Sequence, residues 1–268
     1  MSGSVATSRF ERDTAVERRG DGRWTANADA DWFATTGPNG GYLAAIVLRA
    51  MAEEVGDSDR APRSLTLHYT RPLVAGELDI AVVVERAGRR LSTVTARVEQ
   101  QGRLCILAIG ALSADFESAA VYCAVPPAVA APEDIEPVPQ ERALVPIAQR
   151  FDVRPALGGR LFGGGDEALT GGWLRFAEGD PPADAYALAM LADAWIPSPF
   201  VRLDRPVGAP TIDLTIHFRA PDVVAEWPVL VVFRSRFSHA GFFEEDGEIW
   251  NADGRLLAHS RQLGLLAP

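Results

Sequence analysis

Apolar and polar positions change period several times along the chain, and each change predicts an element. Tyr42 to Glu54 is rich in Ala, Leu, Ile and Met, has no internal Gly or Pro, and turns polar only at Arg49, Glu53 and Glu54. Such a stretch predicts a helix that is apolar nearly all round and therefore buried. It follows the breaker cluster Thr36-Gly37-Pro38-Asn39-Gly40-Gly41. Upstream, residues 9 to 26 read as two short strands around the turn Gly20-Asp21-Gly22. From Arg63 to Ser113 the period shortens to that of strands. Ile80 to Val84 lies between the turns Ala75-Gly76 and Ala87-Gly88, and Leu91 to Glu99 alternates. Gln101-Gly102 is a hairpin turn, and Leu104 to Leu112 is the returning strand. The second half repeats this order. Phe151-Asp152-Val153-Arg154 and Trp173-Leu174-Arg175-Phe176 are strands on either side of the glycine-rich stretch Gly158 to Gly172. Asp184 to Trp195 is helical and mostly apolar, and Ile212–Phe218, Val229–Phe237, Gly241–Asn251 and Leu256–Leu263 are strands.

The repetition is literal in places. Leu65-Thr66-Leu67-His68-Tyr69 returns as Leu214-Thr215-Ile216-His217-Phe218, an offset of 149 (214 − 65), and Pro72 and Pro221 follow at the same offset. Gly102-Arg103-Leu104 returns as Gly254-Arg255-Leu256 at an offset of 152 (254 − 102), which needs only a short insertion in one loop. One architectural unit has been duplicated and fused. The expected organisation is an N-terminal unit over 1–113, a linker over 114–149 and a C-terminal unit over 150–268. The linker carries Pro126, Pro127, Pro132, Pro137, Pro139 and Pro146, a density that predicts an extended, solvent-facing segment.

Composition narrows the function. Of the 268 residues 47% are hydrophobic, which supports a real core. The net charge of −10 disfavours a nucleic-acid partner, because phosphate binding needs clustered cations. Cys105 and Cys123 have no metal-ligand spacing, and Cys105 sits in an apolar run as a core thiol. The polar start (Ser8, Arg9, Glu11, Arg12, Asp13) carries no signal peptide, and no apolar run is long enough to span a bilayer. These features predict a soluble, reduced, cytoplasmic protein. Gly163-Gly164-Gly165 lacks the Gly-Lys-Ser/Thr ending of a phosphate loop and reads as a flexible loop.

The layout and these motifs resemble the double-hotdog acyl-CoA thioesterases of the thioesterase II (TesB-like) family, over roughly residues 10–113 and 150–266. The strands Phe151-Asp152-Val153-Arg154-Pro155 and Trp173-Leu174-Arg175 look like the opening strands of that family's second hotdog, and Gly241-Phe242 to Ala258 looks like its last long hairpin. The resemblance implies an α+β fold: two fused hotdog units, each a long helix inside a curved antiparallel sheet, with the sheets side by side. It implies hydrolysis of an acyl-CoA thioester to free acid and CoA, without metal or bound cofactor, by a homodimer or higher homo-oligomer. The family's catalytic Asp, Thr and Gln fall on Asp193 at the end of the second helix, Thr211 entering the repeated strand and Gln262 near the C-terminus. Leu263 stands where the family commonly places an acidic residue after the Gln, and the exit Ala194-Trp195-Ile196-Pro197-Ser198-Pro199 is bulky enough to reshape an acyl tunnel.

The repeat adds independent evidence. Thr211 falls on Pro62 at the first offset, Gln262 on Gly110 at the second, and no carboxylate occurs over Ala44 to Arg49, where the partner of Asp193 belongs. The first half therefore carries no copy of the set. Each residue alone has a plainer role, as a helix-end carboxylate, a strand threonine or a surface glutamine. Together they suit water activation, with a carboxylate taking the proton and two neutral groups aiming the water. The oxyanion then rests on backbone N–H groups. No nucleophile elbow and no Cys–His arrangement is present. Further candidates for substrate contact are Trp195, Asp213 as a partner of Thr211 on the same strand parity, Arg234 (with Arg89, Arg90 and Arg236) for CoA phosphates, and the loop residue His239. His68 and His217, as repeat partners inside strands, read as structural. Two alternatives stay open: a non-catalytic acyl-binding hotdog protein, and a double-hotdog dehydratase or hydratase. The latter needs a His base that these positions do not favour.

Overall fold

The computed structural model describes residues 7–35, 37–143, 145–220 and 226–266. Pro221 and Thr36, both named above, lie outside them. In chain order the elements are α1 (Arg9–Asp13), β1 (Glu17–Gly20), β2 (Arg23–Ala28), α2 (Gly40–Val55), β3 (Ala61–Tyr69), β4 (Gly76–Ala87), β5 (Leu91–Gln100) and β6 (Arg103–Ser113). They continue with β7 (Phe151–Gly158), β8 (Leu169–Phe176), α3 (Ala185–Leu191), β9 (Thr211–Phe218), β10 (Val229–Arg234), β11 (Ser238–His239), β12 (Phe242–Trp250) and β13 (Leu256–Leu265). Both units are hotdogs, and the fold is a double hotdog.

The strands form one antiparallel sheet in the order β1-β2-β4-β5-β6-β3-β9-β13-β12-β10-β8-β7, with β11 paired to β12. The halves meet at β3 and β9, which are the two copies of the repeated segment. They pair Leu65 with Ile216, Thr66 with Thr215 and Leu67 with Leu214. The repeat partners Thr66 and Thr215 thus lie opposite one another, their hydroxyls 3.0 Å apart. The duplicated unit packs against itself about a local two-fold axis at this pair.

Helix α2 is buried along nearly its whole length, from Gly41 to Met51, as its unbroken apolar composition requires. Asn39 caps its N-terminus by accepting the Tyr42 N–H, and Gly56, at φ 63°, ends it in the left-handed region. Three expectations need correction. Residues 9–13 form a helical turn closed by a Ser8–Glu11 capping box rather than a strand. The second helix is seven residues long instead of running from Asp184 to Trp195, so only one of the two hotdog helices is long. The linker is not simply solvent-facing. Val129 and Ile135 cover Trp173, Leu230, Val232 and Trp250 on the outer face of the second hotdog's strands. Trp173 Nε1 donates to the Ala130 carbonyl, and Arg154 to the carbonyls of Pro132 and Ile135. Proline blocks sheet pairing but leaves its own carbonyl free to accept, and the covering segment uses it so.

Candidate active site

The site forms where α3 packs antiparallel alongside α2, with the C-terminal turn of α3 against the α2 N-terminus and Tyr186 under Arg49. Gly41 in the first turn of α2 lies against the C-terminal turn of α3, so close that a Cβ there would stand 2.2 Å from the Met190 carbonyl oxygen. The α3 helix stops at Leu191, and the chain turns to present Asp193 to the α2 N-terminus. One carboxylate oxygen of Asp193, Oδ2, accepts from the Gly40 N–H at 3.0 Å and from Asn39 Nδ2 at 3.0 Å. Asn39 Nδ2 also donates to the Asp193 carbonyl at 2.7 Å. A Cβ on Gly40 would fall 2.8 Å from that carboxylate oxygen and 3.0 Å from Tyr69 Oη, so glycine is required for the approach. The Tyr69 hydroxyl donates to the Gly40 carbonyl and holds the turn from the side of β3. A helix N-terminus concentrates unpaired N–H groups and positive potential, which favours an anion.

Asp193 is half-buried, and burial is the largest influence on its carboxyl, pushing it up to about 6. The N–H groups of Gly41 and Gly40 and the side chains of Gln262 and Asn39 act in the opposite direction by stabilising the charged form. The balance leaves a group that is mostly ionised at neutral pH yet more basic than an ordinary aspartate.

Gln262 lies on the inner face of β13, 5% exposed, opposite Leu214 of β9 and Glu245 of β12. Its amide nitrogen donates to Glu245 Oε1 at 2.8 Å, and its amide oxygen accepts from Thr211 Oγ1 at 2.8 Å. A register break decides where Thr211 points. Asp213 pairs with Leu263 but Thr211 pairs with Gly264, leaving Ile212 as an extra residue. The bulge turns Thr211 onto the face of Leu214 and Gln262. Asp193, Thr211 and Gln262 are thus brought together, with Asn39 and Gly40 supplied by the other half of the molecule.

The remaining candidates sit elsewhere. Asp213 does not share the face of Thr211, because the same bulge leaves it with Thr215 and His217 on the opposite side, paired with His68 of β3. Arg234 stands opposite Asp246, on the strand face away from Glu245, and pairs with Glu167 at 3.5 Å. It is a surface ion pair and not part of the site. His239 is exposed and belongs to the short strand β11, opposite Phe242, instead of a loop. Trp195 is half-buried in the exit from α3, where its Nε1 donates to Thr170 Oγ1 at 2.9 Å. Arg236 pairs with Asp246. Sequence reasoning missed Asn39, Gly40 and Glu245. For Glu245 a cue existed: it falls in the alternating series Phe243, Glu245, Gly247, Ile249, whose other members face inward.

Comparison with known proteins accords with this geometry. Residues 28–113 match the model of the acyl-CoA thioesterase N-terminal domain, and residues 128–266 match that of the acyl-CoA thioesterase C-terminal domain. No functionally curated protein matches the chain. Among solved structures, a hot dog fold protein of unknown function from Alicyclobacillus acidocaldarius is 29% identical, with 98% of this chain and 99% of that one covered at a TM-score of 0.89. A Thermobifida fusca protein proposed to be a thioesterase II is 26% identical, with 99% and 100% covered at a TM-score of 0.86. The acyl-CoA thioesterase II TesB2 of Mycobacterium marinum shares the fold at 18% identity, with 96% of each chain covered and a TM-score of 0.78. Two matched domain models over most of the chain, on a double-hotdog fold, place the protein in the TesB-like acyl-CoA thioesterase family, as a thioester hydrolase.

Proposed function

We propose that the protein hydrolyses acyl-CoA thioesters by direct attack of a water held between Asp193 and Thr211. Asp193 is the general base, and Gln262 orients Thr211 and supports the Asp193 charge. The Thr211 hydroxyl gives its proton to the Gln262 oxygen, so its lone pairs remain to accept from the water. A water donating one hydrogen to Thr211 and the other to Asp193 directs its own lone pair at the thioester carbon. The water oxygen bonds to that carbon, Asp193 takes one proton, the C–S bond breaks, and the proton passes to the departing CoA thiolate. Negative charge moves from Asp193 to the carbonyl oxygen during attack. The α2 N-terminus that favours the first favours the second, provided the carbonyl lies beside it.

The observation that carries this reading is the half-buried Asp193 carboxyl, held on the α2 N-terminus beside the linked Gln262 and Thr211. The test is thiol release from short, long, branched and aromatic acyl-CoAs by the wild type and by Asp193→Asn. Turnover that collapses in the folded variant is expected. Turnover untouched by the substitution would remove Asp193 from the mechanism, and saturable binding without thiol release by the wild type would make the protein an acyl-CoA binder.

A further inference from the structure

Glu245 is a charged side chain in a place that needs an explanation. It is 3% exposed and lies on the inward series of β12 between Phe243 and Gly247. A carboxyl there is desolvated, and an apolar residue would pack at lower cost. The molecule itself supplies the apolar alternative. In the first hotdog the register-equivalent trio is Leu65, Gly110 and Val94, and in the second it is Leu214, Gln262 and Glu245. Valine therefore fills in one half the position that Glu245 fills in the other.

Both oxygens of Glu245 are engaged, and each contact bears on the site. Oε1 accepts from the Gln262 amide nitrogen at 2.8 Å, while Oε2 accepts from the backbone N–H of Ser198. Ser198 opens the helical turn Ser198–Val201 that follows the Asp193 exit. Hydrogen bonds then run in one direction: Thr211 donates to Gln262, and Gln262 donates to Glu245. An amide can present its oxygen or its nitrogen to a neighbour, and the two choices differ by a half-turn. An ionised carboxylate accepts only, so it takes the nitrogen end. That choice sends the amide oxygen to Thr211 and makes Thr211 a donor to it, leaving the hydroxyl lone pairs for the water.

We propose that Glu245 is a positioning residue of the hydrolytic site, acting through Gln262 to set which way the Thr211 hydroxyl points. It touches neither the water nor the thioester. This assignment rests on the proposed function above. Burial pushes the Glu245 carboxyl up to about 7, with the nearby Asp193 charge adding to the rise and Ser198 and Gln262 opposing it. The relay direction is thus set by a group that ionises near neutrality.

The test uses Glu245→Gln and Glu245→Val, the latter matched to Val94 so that folding has a precedent in the same protein. With an acyl-CoA that the wild type turns over, both variants are expected to lose kcat by roughly ten- to a hundred-fold, with KM changed less than about three-fold. In a Gln262→Leu background the same substitutions are expected to add nothing, because Glu245 acts through that glutamine. A full additional loss in that background, or kcat within two-fold of wild type in the single variants, overturns the proposal. A second readout needs no turnover. The Gln262 side-chain amide protons, identified in NMR spectra by their loss in Gln262→Leu, are expected as a dispersed, slowly exchanging pair that becomes solvent-exchanging in Glu245→Val. An unchanged pair overturns the proposal whether or not the protein is a hydrolase. Failure of Asp193→Asn to affect thiol release would instead sink the functional reading.

Discussion

The two hotdogs present the same frame with opposite contents. In the first, Gly110 stands between Leu65 and Val94, and a Cβ there would lie 3.2 Å from the sulfur of Met51. Helix α2 runs 16 residues, and its side chains fill the space inside the sheet. In the second, helix α3 stops after seven residues, and Gln262, Glu245 and Asp193 occupy the region that the missing turns leave. Shortening a buried helix removes apolar volume and opens a place where polar groups can meet. Those groups then need partners, and the long helix of the other half supplies them through Asn39 and Gly40. The first hotdog carries no copy of the Asp193, Thr211 and Gln262 set, yet it contributes a helix N-terminus that holds Asp193 of the second.

The comparison breaks most completely at Asp193. Asp193→Asn is expected to lower kcat/KM by about a thousand-fold, measured by thiol release, because general base catalysis contributes roughly two to four orders of magnitude. Thr211→Val removes one aiming contact and is expected to cost about ten-fold. A reversed order of these two would mean that water placement outweighs proton transfer.

The second prediction puts the polar content into the apolar half. Gly110→Gln must enter a space held by Met51 and Leu65. A loss of about 3 kcal/mol or more in denaturant unfolding is expected from overpacking and an unpaired amide. Near-neutral stability would show that the first hotdog can accommodate the site and that α2 is no barrier.

The third prediction sharpens the contrast through pH. Asp193 is pushed up to about 6 and Glu245 to about 7, from ordinary values of 3.8 and 4.5. Both folded-state values lie above the unfolded ones, so the fold binds more protons than the unfolded chain between them. The stability these groups contribute is fully present below about pH 4 and is lost as pH rises through 6 to 7. Each group accounts for roughly 1–3 kcal/mol. Thermal unfolding is expected to fall from pH 5.5 to pH 8, and less steeply in Glu245→Gln. Activity is expected to run the other way, kcat/KM rising to a plateau as Asp193 ionises. Parallel changes of stability and activity would contradict the assignment of Asp193 as a half-buried base.

The smallest effect belongs to the symmetry axis. Thr66→Val removes the hydroxyl contact with Thr215 and is expected to destabilise by about 1 kcal/mol, read by denaturant unfolding, with little change in turnover.

Much of this arrangement was legible in the sequence, and what was not has identifiable causes. The repeat gave the two-unit architecture, because duplicated strands keep their apolar spacing even where their polar residues diverge. Asp193 interrupts an apolar run at a helix end, and the structure brings it together with Thr211 and Gln262. Asp213 shares the strand parity of Thr211 in sequence, and a single extra residue at Ile212 undoes that parity. Bulges leave no mark in a one-dimensional pattern. Asn39 is 154 positions from Asp193, and only the antiparallel packing of α3 alongside α2 joins them. The charge of Arg234 suits a CoA phosphate, yet its strand parity sets it on the outer face, opposite Asp246. Glu245 is readable from its inward series, but it sits in the middle of the three-residue acidic run Glu244-Glu245-Asp246, which reads as ordinary surface charge.

The account's central claim is that water attacks the thioester directly while Asp193 acts as a base. A single-turnover reaction in ¹⁸O-enriched water, with enzyme in excess over acyl-CoA, tests it most directly. Direct attack places one ¹⁸O in the acid released in that first turnover and leaves the protein unlabelled. An acid without ¹⁸O, together with label in the peptide containing Asp193, would instead show that the carboxylate attacks as a nucleophile and forms an acyl anhydride. That result would contradict the assignment.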